Sequence, residues 1–238
     1  MSLKNELKSN GNWLFKYRSY LPLLLFPLLI LSLKNENYFT NNLLLLISFI
    51  ISILGLFIRI ITIAYVPVGT SGRNTKKQRA KYLNKNGIYS IVRHPLYLGN
   101  FLIYLGPFIF TANLYIIFIF LLLFVIYYER IMYAEEAFLL NKFGKEYDEW
   151  SSKTPAFIPN IKLYKKSSLK LSLKKIINRE YTGICGIVFL FIFLIFVKNI
   201  FNSFSPLLSN FYIYTLLINT FIYLILRFIK KINRSNYN

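Results

Sequence analysis

Five apolar runs dominate this chain, at about 20–33, 43–66, 96–128, 181–201 and 207–228. Runs of this length admit few folds. Inside a bilayer every backbone N–H and C=O must be paired within the protein, and about 20 helical residues cross the hydrocarbon. The third run is too long for one crossing, because 33 residues at about 1.5 Å each extend roughly 50 Å. It is interrupted by Gly106-Pro107 and by Thr111-Ala112-Asn113. It reads as a tight helical hairpin, 96–110 and 114–128. The first run is short, broken by Pro22 and Pro27, and can draw on Trp13, Leu14, Phe15 and Tyr17 at its start. The expectation is an all-α, polytopic integral membrane protein with about six transmembrane helices.

Charge supports this count. Residues 1–19, 67–95, 129–179 and 227–238 hold 26 of the 29 Lys and Arg. These are alternate loops, so the positive-inside rule puts them, and both termini, in the cytoplasm. A single crossing at 96–128 would put two strongly basic loops on opposite sides. The net charge of +20 therefore reads as topology and attraction to anionic lipid rather than as a nucleic-acid surface. The lone Cys185 excludes an internal disulfide, and one Cys with one His excludes a structural zinc site. Cys185 reads as a small packing residue. No cleavable signal is evident. The chain divides into N-terminal helices (1–66), a central core (67–163) and a C-terminal part (164–238). The last part opens on "YKKSSLKLSLKKIINR", whose pattern fits a basic interfacial helix or a short strand.

The only histidine lies in "IVRHPLYLGN". Pro95 suits the first turn of a helix, and His94 before it is pushed toward extended backbone. Arg93 and His94 thus sit at the mouth of the hairpin, where a helix N-terminus favours an anion. Tyr97, Asn100 and Tyr104 share the next face, and Gly99 permits close approach to the backbone. The second arm returns to the same side and runs out as "YYERIMYAEEAFLLNKFGKEYDEW". No residue three or four positions from Glu135 or Glu136 is basic, so neither gains a helical ion pair. A tertiary partner or a ligand is implied, and adjacent residues about 100° apart put one of the two toward a pocket. Taken singly, Arg-His-Pro can be an interfacial cap and the acidic pair a solvated turn. Their meeting on two arms of one hairpin favours a site. A cofactor bearing ammonium, carboxylate and ribose hydroxyls fits such groups, and S-adenosylmethionine carries all three.

"LNKNGIYSIVRHPLYLGN" followed by "EEAFLLNKFGKEYDEW" and a closing "FIP" resembles the integral-membrane methyltransferases typified by isoprenylcysteine carboxyl methyltransferase and the phospholipid N-methyltransferases, over about residues 74–160. A longer match, from "VPVGTSGRNT" through "REYTG", resembles a bacterial branch that includes lipid A 1-phosphate methyltransferases. The resemblance implies an S-adenosylmethionine pocket without a Rossmann domain, and the sequence has no G-x-G-x-x-G. Carried over by position, the cofactor residues are Tyr82, Leu83, Asn84, Tyr89, His94, Pro95, Leu96, Tyr97 and Glu135, with Glu136 beside it. There is one departure. The carboxyl methyltransferases place a substrate-binding arginine four residues before the glutamate. Here that position is Ile131, and Arg130 is one step off, which argues against a prenylcysteine carboxylate.

The expected reaction is methylation of a membrane lipid in the bacterial inner membrane. The expected acceptor is an anionic lipid phosphate of lipid A type, methylated on oxygen. Arg59, Arg73 and Arg130 are the candidates for positioning it. Arg59 lies within a span and snorkelling is its alternative. For Arg73, with Lys76 and Lys77, topology is the alternative. Isoprenylcysteine-type carboxyl methylation, phospholipid N-methylation, an NADPH-dependent membrane reductase of sterol-reductase type and a non-catalytic lipid-binding protein are the competing readings. No metal, nucleic-acid partner or oligomeric state is indicated.

Overall fold

The computed structural model describes residues 2–34, 42–67, 78–201 and 208–235. Eight α-helices form the described part: α1 (Leu3–Tyr17), α2 (Leu21–Ser32), α3 (Asn42–Ala64), α4 (Pro95–Phe110), α5 (Leu114–Phe143), α6 (Lys145–Ser151), α7 (Leu173–Phe201) and α8 (Asn210–Ser235). Among the described residues there is no sheet, only an isolated bridge between Gly87 and Lys165. The all-helical expectation holds. α3, α5, α7 and α8 are long and apolar enough to cross a bilayer, which makes this a multi-pass membrane protein. The two other expected crossings correspond to shorter apolar helices, Leu23–Ser32 and Pro95–Phe110. Trp13 to Tyr17 do not extend the first of these. The chain turns between α1 and α2, and α1 packs separately along α5, where Tyr127 donates to Leu14 O at 3.3 Å.

The hairpin forms as the sequence predicts. α4 ends at Phe110 and α5 begins at Leu114. Thr111 Oγ1 closes the first helix on Phe108 O at 2.7 Å. Ala112 takes a positive φ of 54°, and Asn113 caps α5 by accepting from Ile116 N at 3.2 Å. α5 has 30 residues, about 45 Å of helix. Its last turns therefore outrun the hydrocarbon and carry the acidic pair beyond it.

α3 lies tight against α4 because glycines remove side chains from the contact. A Cβ on Gly55 would meet Gly99 O at 2.5 Å and Ile103 N at 2.7 Å. The close approach expected at Gly99 is made by this helix rather than by a ligand. Without a hydrophobic drive between helices in lipid, such small-residue contacts carry much of the association.

Residues 164–172 are neither the interfacial helix nor the strand allowed by their pattern. They form a strap, because their polar groups find partners on other segments. Lys165 N donates to Ser90 Oγ at 2.8 Å, and Ser172 N to Ala64 O at 3.3 Å. Residues 173–179 instead open α7.

Candidate functional site

α3, α4, α5 and α7 surround a cavity of about 970 Å³, at the upper end of ordinary small-molecule sites. Its polar end is built at the start of α4. The segment after α6 holds the preceding loop by main-chain bonds: Arg93 N donates to Pro155 O at 2.9 Å and His94 N to Ala156 O at 3.1 Å. These two N–H groups, which precede the helix, are therefore not open to an anion. His94 has φ −118° and ψ 60°, outside the helical region, as the following proline requires.

The two glutamates find their tertiary partners here. His94 Nε2 lies 2.9 Å from Glu136 Oε1, and Nδ1 lies 3.7 Å from Glu135 Oε2. Tyr97 Oη donates to Glu135 Oε2 at 2.9 Å, and an Arg93 amino group stands 3.3 Å from Glu136 Oε2. The imidazole is buried and stacks on Tyr97 at 5.6 Å. Burial alone would lower its pKa. The hydrogen bonds and charges of Glu135 and Glu136 outweigh this and raise it above 6.5. Burial, then the Glu135 charge, push the Tyr89 phenol up, so it stays neutral.

Glu135 lines the cavity, and so do Tyr82, Leu83, Asn84, Tyr89, His94, Pro95, Leu96 and Tyr97. Glu136 is not among the lining residues and is bonded to Arg93 and His94. Trp150 also lines it, and its buried Nε1 has no hydrogen-bond partner among the described residues. A buried donor left unpaired is costly and marks a place for an acceptor.

The other end runs between α3, α4 and α7. Arg59 donates to Glu180 through Nε at 3.0 Å and an amino group at 2.6 Å, and through its other amino group to Asn100 Oδ1 at 2.6 Å. Asn100 Nδ2 donates to Tyr128 Oη at 3.3 Å. Along α7 the lining residues Arg179, Gly183, Gly186 and Leu190 repeat at helical spacing. From Glu180 to Leu190 this wall extends about 15 Å, half the hydrocarbon thickness. Five arginines (18, 59, 79, 93 and 179) line the whole cavity against two glutamates.

Of the positioning candidates, Arg59 lines the cavity, already paired. Arg130 does not reach it: its guanidinium donates back to Ile126 O at 2.8 Å, and the inward position on that turn belongs to the fully buried Ile131. Arg73, with Lys76 and Lys77, lies outside the described residues. Sequence reasoning missed Glu180, Arg18, Arg179, Tyr128 and Trp150 as cavity residues. One signal was there for Glu180, the only acidic residue after Glu149, at the edge of an apolar run.

Residues 42–146 match the phospholipid methyltransferase family model. The chain is similar to the cobalt-zinc-cadmium resistance protein CzcN of Cupriavidus metallidurans, 37% identical over 83 residues, covering 35% of this chain and 38% of that protein. It is similar to the protein-S-isoprenylcysteine O-methyltransferase of Schizosaccharomyces pombe, 33% identical over 87 residues, 37% of each chain. The nickel-cobalt-cadmium resistance protein NccN of Alcaligenes xylosoxydans xylosoxydans is 32% identical over 94 residues, 40% of this chain and 44% of that protein. The chain thus spans less than half the length of these relatives. No solved structure matches.

Proposed function

We propose that this chain is an S-adenosylmethionine-dependent methyltransferase acting on a membrane-embedded lipid. One observation carries the reading. A single cavity joins the Arg-His-Pro and acidic motifs at its polar end to an apolar wall on α7 at its other end. Cofactor and lipid can then meet without either leaving its own phase. The match of residues 42–146 to the phospholipid methyltransferase family supports the same reaction class.

The lining fits the cofactor. Glu135 supplies a carboxylate for an ammonium group or ribose hydroxyls. Arg18 and Arg79 offer donors suited to a carboxylate. Tyr89, Tyr97 and Trp150 give aromatic surface and one unpaired N–H. Bound there, S-adenosylmethionine supplies a methyl group activated on a sulfonium sulfur. The chain's own residues orient donor and acceptor and keep water out, which is where such a transfer gains most of its rate.

For the acceptor, Arg18, Arg79 and Arg179 line the cavity beyond the Arg59–Glu180 and Arg93–Glu136 pairs, and this basic excess favours an anion. An ionised phosphate oxygen needs no proton removed, and among the described residues the cavity offers no carboxylate free of a partner to act as a base. The acceptor we infer is an anionic lipid phosphate methylated on oxygen; its lipid A type comes from the sequence resemblance alone. The polar end faces the cytoplasm, with both termini, by the distribution of basic residues.

The test uses purified protein in vesicles with methyl-labelled S-adenosylmethionine. Label should pass to a phosphate-bearing glycolipid. Label found only in phosphatidylethanolamine or a prenylated cysteine would replace this acceptor, and no transfer to any lipid would remove the enzyme reading.

A further inference from the structure

Arg59 is too well partnered to serve as a free counter-ion. A guanidinium has five N–H groups. Two are taken by both oxygens of Glu180 and one by Asn100. Two remain on a side chain that lines the cavity and is 22% exposed. Tyr128 stands next in the chain of bonds. Its oxygen accepts from Asn100 at 3.3 Å, and its own hydrogen has no acceptor among the described residues. Its ring is fixed by Phe124 at 4.2 Å and Tyr97 at 5.0 Å, so the phenol is held between the polar end and the α7 wall.

Resting on the function proposed above, the geometry points to an acceptor seat at this place: the two remaining Arg59 N–H groups and the Tyr128 O–H hold non-bridging oxygens of an anionic lipid head group. Glu180 neutralises the guanidinium, so the seat offers donors without net charge. The chemical reason favours this arrangement. An unpaired arginine would grip a phosphate tightly and draw electron density from the oxygen that must attack carbon. A paired one orients that oxygen and leaves it nucleophilic. Tyr128 is then a substrate-positioning residue, and Asn100 and Glu180 act through their neighbours. These four residues come from α3, α4, α5 and α7, and Glu180 lies beyond residues 42–146.

The test is retention of short-chain phosphatidic acid by full-length protein in detergent, read by native mass spectrometry, with calorimetric affinity for S-adenosylmethionine alongside. Tyr128→Phe removes one oxygen from a stacked ring. It should retain phosphatidic acid about tenfold less well, a typical cost of one hydrogen bond to a charged group, with cofactor affinity unchanged. Asn100→Ala leaves the phenol but unties it and should give a smaller loss. Equal retention by wild type and both variants overturns the seat. Glycerol 3-phosphate binding as tightly as phosphatidic acid overturns its assignment to a lipid. Methyl transfer measured in parallel reports on the function separately: transfer without a retention difference removes only the seat, and a retention difference without transfer removes only the enzyme.

Discussion

At its polar end the cavity is walled mainly by residues 78–150, brought together by one hairpin and the loops that flank it. At its apolar end the polar groups come from helices that are far apart in sequence, with Arg59 and Glu180 121 positions apart. The first end is assembled by short connections and stapled by main-chain bonds to Pro155 and Ala156. The second depends on tertiary packing of α3 and α7 and on one ion pair inside the apolar layer. The polar end can therefore lose a side chain and keep its fold, whereas the apolar end has its stability tied to its chemistry.

The largest effect should come from breaking the inner pair. Glu180 is 2% exposed, and its removal leaves a guanidinium uncompensated in an apolar layer. Glu180→Ala should cost about 3–5 kcal/mol of stability, read as a lowered melting temperature in detergent. A melting temperature equal to wild type would show that the two ends do not differ in this way.

At the polar end the same kind of deletion should spare the fold and damage binding. His94→Ala and Glu135→Ala should each weaken S-adenosylmethionine by about 1–3 kcal/mol, measured by calorimetry on protein shown to be folded.

The only histidine gives a direct pH readout. Folded His94 titrates above 6.5, because Glu135 and Glu136 favour the charged ring more than burial disfavours it. With a folded pKa above the unfolded one, the cluster's stabilisation is complete below about 6.5 and is lost as pH rises through the folded value. A single imidazole resonance should show that raised midpoint, and Glu136→Gln should lower it. A midpoint at or below 6.5 in the wild type would contradict the cluster.

The smallest effect belongs to Arg130. Its guanidinium bonds to its own helix, so Arg130→Ala should change stability and methyl transfer by no more than about 0.5 kcal/mol. A large loss of transfer would restore it as a positioning residue.

Part of the polar end was legible from the residues themselves, whereas Tyr82, Leu83, Asn84, Tyr89 and Leu96 came from the family resemblance. Two glutamates without a helical partner had to find one elsewhere, and His94 before Pro95 marked where the first arm begins. The hairpin showed in the excess length of 96–128 and in the alternation of basic loops. The inner network was half legible. Arg59 stood out as a charge within a span, but which residue neutralises it depends on how α3 faces α7, and no periodicity states that. Arg130 misled because one step along a helix turns a side chain by about 100°, and the buried face of α5 is set by Ile131 and Tyr128. The strap at 164–172 was illegible for a different reason: its bonds run to Ser90, Gly87 and Ala64, on other segments.

We propose that Glu135 and His94 frame a cofactor site rather than a structural knot. Titrating the purified wild-type chain with S-adenosylmethionine and with NADPH, by calorimetry in detergent, tests it most directly. Saturable binding of S-adenosylmethionine at one site per chain, weakened in Glu135→Ala, and no binding of NADPH are the expected results. Binding of NADPH alone, or S-adenosylmethionine affinity unchanged in both His94→Ala and Glu135→Ala, would contradict it.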